Sequence, residues 1–161
     1  MSFDNRLSIP QNDNMLTTRN ARPDDLLAMV DAARARGMRV RPKVGGFPWL
    51  AEALRSAGIE RLEFVVPSMT TVYVTSRGDV VEQGAPVVTG SAMVAPFDRD
   101  ALIAALRADQ QGLSTFPEFV TAAWRAGVLS WTVELVARTC TYRSAIGRES
   151  YVESYPAVEL P

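Results

Sequence analysis

The sequence predicts an α+β fold. The expected architecture is an internally duplicated helix-helix-strand-strand unit, with an antiparallel sheet covered by helices on one face and a pseudo-two-fold axis relating the copies. Three observations predict it. The 161-residue chain matches itself without a gap when Phe47 is laid on Phe116. Within each copy the apolar spacing changes from helical to alternating. The hydrophobic share of 47% and charged share of 22% are those of a globular chain with one core.

The duplication comes first because missing a repeat misreads the whole fold. The identical pairs are Phe47/Phe116, Pro48/Pro117, Ala53/Ala122, Ala57/Ala126, Gly58/Gly127, Thr70/Thr139, Tyr73/Tyr142 and Gly78/Gly147. Composition alone gives roughly two matches over this length. Upstream, RPDDLLAMVDAARARG ends at Gly37 and DRDALIAALRADQQG at Gly112. That spacing is wider than the one from Phe47 to Phe116, so the first copy carries extra residues within MRVRPKVGG. The expected organisation is an arm over 1–21, then one domain of two repeats, 22–83 and 97–161, joined by 84–96. The GAPVVTG stretch belongs to that connection.

The first helix opens on Pro23 with Asp24 and Asp25 in its first turn, and Gly37 reads as its stop. Leu26, Leu27, Val30 and Ala33 are its expected buried stripe. Its counterpart opens on Asp98 and Asp100 and buries Leu102, Ala105 and Leu106. The second helices run from FPWL and FPEF. Thr115 and Glu118 form a capping box, because the hydroxyl can take the N3 amide while the carboxylate reaches back to the N-cap amide. Gly58 and Gly127 suit the left-handed residue that closes a helix. Leu50, Leu54 and Ala57, or Phe119, Ala123 and Ala126, face inward. Trp49 stands where the second copy has Glu118 and is a candidate exposed contact.

The strands alternate. Trp131, Val133 and Leu135 share a face, as do Leu62, Phe64 and Val66, while Thr132, Glu134, Glu63 and Val65 face away. Thr70–Tyr73 and Thr139–Tyr142 are second strands, and turns at Gly78 and Gly147 lead to Val80–Glu82 and Tyr151–Glu153. A unit this small hides one sheet face poorly alone, so the two pack together.

Composition narrows the chemistry. Net charge is −1, which offers no global attraction to nucleic acid or anionic lipid. There is no histidine, which removes the commonest general base and metal ligand. The lone Cys140 can form neither an internal disulfide nor a cysteine zinc site. The N-terminus lacks a signal-peptide pattern, no run is long and apolar enough for a membrane span, and the expected compartment is the cytoplasm. Phosphate-binding, nucleophile-elbow and metal-spaced motifs are absent, so no cofactor and no metal are expected.

Two constellations remain. Glu134, Arg138, Cys140, Tyr142, Tyr151 and Glu153 lie on neighbouring strands of the second copy and are candidates for a polar groove that binds a small anionic ligand. The plainer reading is a set of cross-strand pairs on a solvated face. Arg34, Arg36, Arg39, Arg41 and Lys43 form a candidate phosphate or nucleic-acid patch, although no aromatic residue is interleaved with them. Cys140 is a candidate nucleophile only if a base or cation stands beside it, and otherwise a small core residue.

The marks FPEF, the AGV that follows, Arg-Thr-x-Thr-Tyr, and Tyr-Val-Glu near the end resemble a bacterial family catalogued as domain of unknown function 1398, some of whose members are labelled phage envelope protein. The resemblance covers residues 98–159 well and the first copy more weakly. It implies the fold and supplies no catalytic residue. Family members often carry a histidine before Val-Glu; Tyr151 stands there in this chain, so a role resting on that histidine does not transfer.

The expected function is a non-enzymatic small-ligand-binding or protein-interaction module. It would act as a homodimer through the half-apolar open sheet face (Val65, Val72, Val136) or through the seam between repeats. The alternatives are a histidine-free enzyme using Glu134, Arg138 and Tyr142, and weak nucleic-acid binding through residues 34–43.

Overall fold

Phe64 and Trp131 face one another at the middle of a six-stranded sheet, and the architecture is built outward from that pair. The computed structural model describes residues 22–145 and 149–161. The arm expected over 1–21 and the turn glycine Gly147 lie outside the described residues.

The first half runs α1 (Pro23–Val40), α2 (Phe47–Ser56), β1 (Ile59–Val65), β2 (Thr70–Thr75) and β3 (Gly78–Gln83). The second repeats that order with α3 (Arg99–Gln110), α4 (Phe116–Arg125), β4 (Val128–Glu134), β5 (Thr139–Ser144) and β6 (Ser150–Ser154). The strand order is β3-β2-β1-β4-β5-β6, and every neighbouring pair is antiparallel. At the centre Leu62 pairs with Val133 and Phe64 with Trp131, while Glu63 pairs with Thr132. The alignment that lays Phe47 on Phe116 turns each of these pairs into another of them or into itself, so the register is two-fold about the Glu63–Thr132 pair.

Local chemistry explains the helices. At the start of α4 the Thr115 Oγ1 accepts from the Glu118 amide at 3.4 Å, and Glu118 accepts from the Thr115 amide at 2.7 Å, which completes the capping box. Asp98 caps α3 by accepting from the Ala101 amide at 3.0 Å. Gly37 departs from expectation. It lies inside α1, which continues to Val40, and it is buried. A Cβ there would stand 2.7 Å from Leu50 Cδ1 and 2.9 Å from Leu50 Cα, so this glycine is where α1 and α2 cross. The extra residues of the first half lengthen α1 and form the loop 41–46, whose Gly45 amide donates to the Gln110 carbonyl at 2.9 Å. Gly112, the sequence counterpart of Gly37, does close its helix, with φ of +71°.

All four helices cover the same sheet face. Leu62, Phe64, Tyr73, Trp131, Val133, Cys140 and Tyr142 meet Val30, Ala33, Ala51, Leu54, Leu102, Leu106, Phe119, Val120 and Ala123 in one core. Leu27, expected inside, is 48% exposed, and Leu26 takes the inward position. Trp131 is buried, while Trp124 is half-buried against the core and Trp49 is half-buried. No described helix is long and apolar enough to cross a membrane.

Candidate functional site

The strand register decides which candidate residues can act together. Val133 pairs with Cys140 and Trp131 with Tyr142; Cys140 pairs in turn with Glu153, and Tyr142 with Tyr151. Cross-strand partners share a face, so Cys140, Tyr142, Tyr151 and Glu153 lie on the side covered by helices. Glu134 pairs with Arg61 and Thr139 and lies on the opposite, open face. Arg138 belongs to neither face. It sits at the end of the β4–β5 turn with a left-handed φ of 57°. The six residues therefore do not line one groove, and Glu134, Arg138 and Tyr142 are not united in a pocket. The alternation of Cys140 and Tyr142 along β5 held this information, because their register with Val133 and Trp131 turns both inward.

On the covered side the polar groups satisfy one another. Glu153 accepts from Arg107 at 2.6 Å, from Gln110 at 2.8 Å and from the Tyr151 hydroxyl at 3.0 Å. The Arg99 guanidinium stands 5.3 Å from the Tyr151 ring centroid. The first half has a matching arrangement, in which Arg34 pairs with Glu82 and the Tyr73 hydroxyl donates to Glu82 at 2.8 Å. Both sets tie a first helix to an edge strand, which is a structural task. Burial pushes the Cys140 thiol up to about 12 and raises Tyr142 as well, so neither is poised as a nucleophile or base near neutral pH.

The cationic run is dispersed in the same way. Arg34 turns to the β3 edge, where it meets Glu82, with Asp31 at 3.6 Å. Arg36 donates to the Pro161 carbonyl at 3.3 Å. Arg39 lies in the last turn of α1, and Arg41 and Lys43 follow in the loop. Arg41 acts on half-buried Asp109, whose carboxyl is raised by desolvation and pulled back by that guanidinium.

Two regions remain available for recognition. The first is the open sheet face. Its central row reads Val81, Val72, Glu63, Thr132, Thr141, Val152 across the six strands. An adjacent row reads Asp79, Val74, Arg61, Glu134, Thr139, Ser154. Val65, Val81 and Val152 are exposed. Val136, expected on this face, lies instead in the β4–β5 turn.

The second is at one end of the seam between halves, where Arg138 meets three residues that the sequence did not single out. Glu52 on α2 accepts two bonds from Arg55, at 2.9 and 2.7 Å, and one from Ser56 at 3.4 Å. Arg138 Nη2 stands 4.0 Å from Glu52 Oε2. The Arg55 guanidinium holds the Glu52 carboxyl below its ordinary range, against the raising effect of burial. Tyr155 follows β6, its amide donating to the Arg138 carbonyl at 3.0 Å, and its ring packs edge-on against Phe47 at 5.1 Å. Its hydroxyl is buried and makes no hydrogen bond among the described residues, and burial pushes it up to about 12. At the corresponding positions the other half carries Thr121 for Glu52, Trp124 for Arg55, Met69 for Arg138 and Gly84 for Tyr155. Only one end of the seam is charged in this way.

The family described as "Protein of unknown function (DUF1398)" matches residues 38–154. Uncharacterised proteins of Mycobacterium bovis and of two strains of Mycobacterium tuberculosis are each 48% identical over 130 residues, which is 81% of this chain and 79% of each relative. Both halves of the sheet lie within the matched span, and the chain belongs to the DUF1398 family.

Proposed function

We propose that the protein is a non-enzymatic interaction module that forms a homodimer through its open sheet face. The observation that carries this reading is the arrangement of charge on that face. Laid face to face about a two-fold axis along the strands, β3 of one protomer covers β6 of the other. Val72 and Val81 then meet the Thr141 and Val152 side of the partner, Glu63 meets Thr132, and Arg61 and Glu134 meet reciprocally. An isologous contact needs this kind of self-complementarity. Six strands at about 4.8 Å and five-residue rows at about 3.4 Å make a face of roughly 500 Å². Two such faces bury about 1,000 Å², the lower bound for a specific interface.

The repeated element order and two-fold register support descent of both halves from one ancestral unit, with 84–96 as the connection. The buried, unpaired Cys140 supports a reducing, cytoplasmic setting. Catalysis by Glu134, Arg138 and Tyr142 is disfavoured because Glu134 and Tyr142 lie on opposite faces.

The test is a charge-swap mixing experiment. Arg61→Glu leaves two carboxylates at the paired positions, and Glu134→Arg leaves two guanidiniums. Each variant alone should run as a monomer in light-scattering chromatography, and the equimolar mixture should form a heterodimer. A monomeric wild-type protein, or a mixture that stays monomeric, overturns the reading.

A further inference from the structure

The charged end of the seam has an unfilled hydrogen-bonding capacity. The Arg138 guanidinium, whose side chain is 34% exposed, has the Glu52 carboxylate at 4.0 Å and makes no side-chain hydrogen bond among the described residues. Glu52 is held toward Arg55 and Ser56 by three bonds, and its Oε2 stays beyond hydrogen-bond distance of Arg138. Two cations and one anion leave the cluster with a single net positive charge. Beside it lie an exposed edge of Phe47 (36%) and the ring of Tyr155, whose buried hydroxyl lacks an acceptor.

The backbone points the same way. Arg138 and its counterpart Met69 both hold left-handed φ angles, 57° and 53°, in equivalent turns. Glycine fits that conformation without strain. The turn therefore does not require arginine, and the other half does without it. What arginine adds at this position is a fork of donors at the mouth of the seam.

We propose that Arg138 binds a small monocarboxylate, with its apolar body against Phe47 and Tyr155 and its carboxylate on the guanidinium. A planar carboxylate matches the fork. One net charge and the nearby Glu52 disfavour a dianion such as phosphate at neutral pH. This site is separate from the open sheet face and does not depend on dimer formation.

The experiment is a titration of the full chain with benzoate, followed by NMR of the Arg138 side chain, with benzamide and inorganic phosphate as parallel probes. Saturable benzoate shifts at Arg138, and none with benzamide, are expected. Arg138→Gly and Arg138→Met should each weaken benzoate binding by about tenfold or more. Arg138→Gly should keep or raise the melting temperature, since it relieves the left-handed backbone. The proposal is overturned if wild type shows no saturable benzoate binding, if phosphate binds as well as benzoate, or if the Arg138 variants bind benzoate as wild type does.

Discussion

Phe64 and Trp131 stack with ring centroids 4.1 Å apart and planes 17° from parallel, across the strand pair that joins the halves. Both are buried. Such a pair contributes about 0.5–1.5 kcal/mol beyond the area it buries. Phe64→Ala or Trp131→Ala should each cost about 3–5 kcal/mol. Because the rings belong to different halves, chemical denaturation followed by far-UV circular dichroism should still show one transition. Two separate transitions in either variant would mean that the halves are stable independently.

Gly37→Ala tests the helix crossing. Alanine is the better helix former by about 1 kcal/mol. Here its methyl would stand 2.9 Å from backbone, Leu50 Cα, which cannot swing aside. The clash should win, with a net loss of about 1–3 kcal/mol. A rise in melting temperature would show that the helices separate freely.

Cys140 should be silent in the native protein. Its thiol, pushed up to about 12 by burial, supplies almost no thiolate at about pH 8. Labelling with an aromatic disulfide reagent should wait for unfolding and follow its rate. Rapid, stoichiometric labelling of folded protein would contradict the placement of β5.

Glu52 sets an acid sensitivity. Its folded carboxyl titrates below the ordinary 4.5, chiefly through the Arg55 hydrogen bonds. A depressed acid contributes stability that is complete above its unfolded value and is lost as pH falls through its folded value. Glu52→Gln should lower stability near neutrality by less than about 1 kcal/mol, since the pair is partly solvated. It should also flatten the fall in melting temperature below about pH 4.5. An unchanged acid limb would place the protonation elsewhere.

The sheet face of the central strand residues is legible in the sequence because alternation is a local signal, and Trp131-Val133 against Thr132-Glu134 needs no distant information. The α4 start is legible too, since Thr115 and Glu118 carry their own hydrogen bonds. What sequence does not supply are relations between remote segments. Gly37 looks like a stop until Leu50 is laid across it. Arg138 looks like a strand residue until the turn takes it left-handed, and its neighbour Glu52 lies in the other half of the chain with no periodicity to connect them. Cys140, Tyr142, Tyr151 and Glu153 fall on the strands expected of them, but their polarity suggests a solvated groove where the register makes an internal clamp.

The central strand pair also shapes the folding pathway. Every other strand contact closes a hairpin, whereas Leu62 and Val133 meet from opposite halves of the chain. The chain can thus form two local subassemblies quickly and must then close one long loop, whose entropy grows with its length. Lengthening 84–96 with glycine and serine should slow refolding in stopped-flow experiments while leaving the unfolding rate nearly unchanged. The connection then acts as a kinetic dial, tuning how long the inner edges of β1 and β4 stay unpaired in the nascent chain.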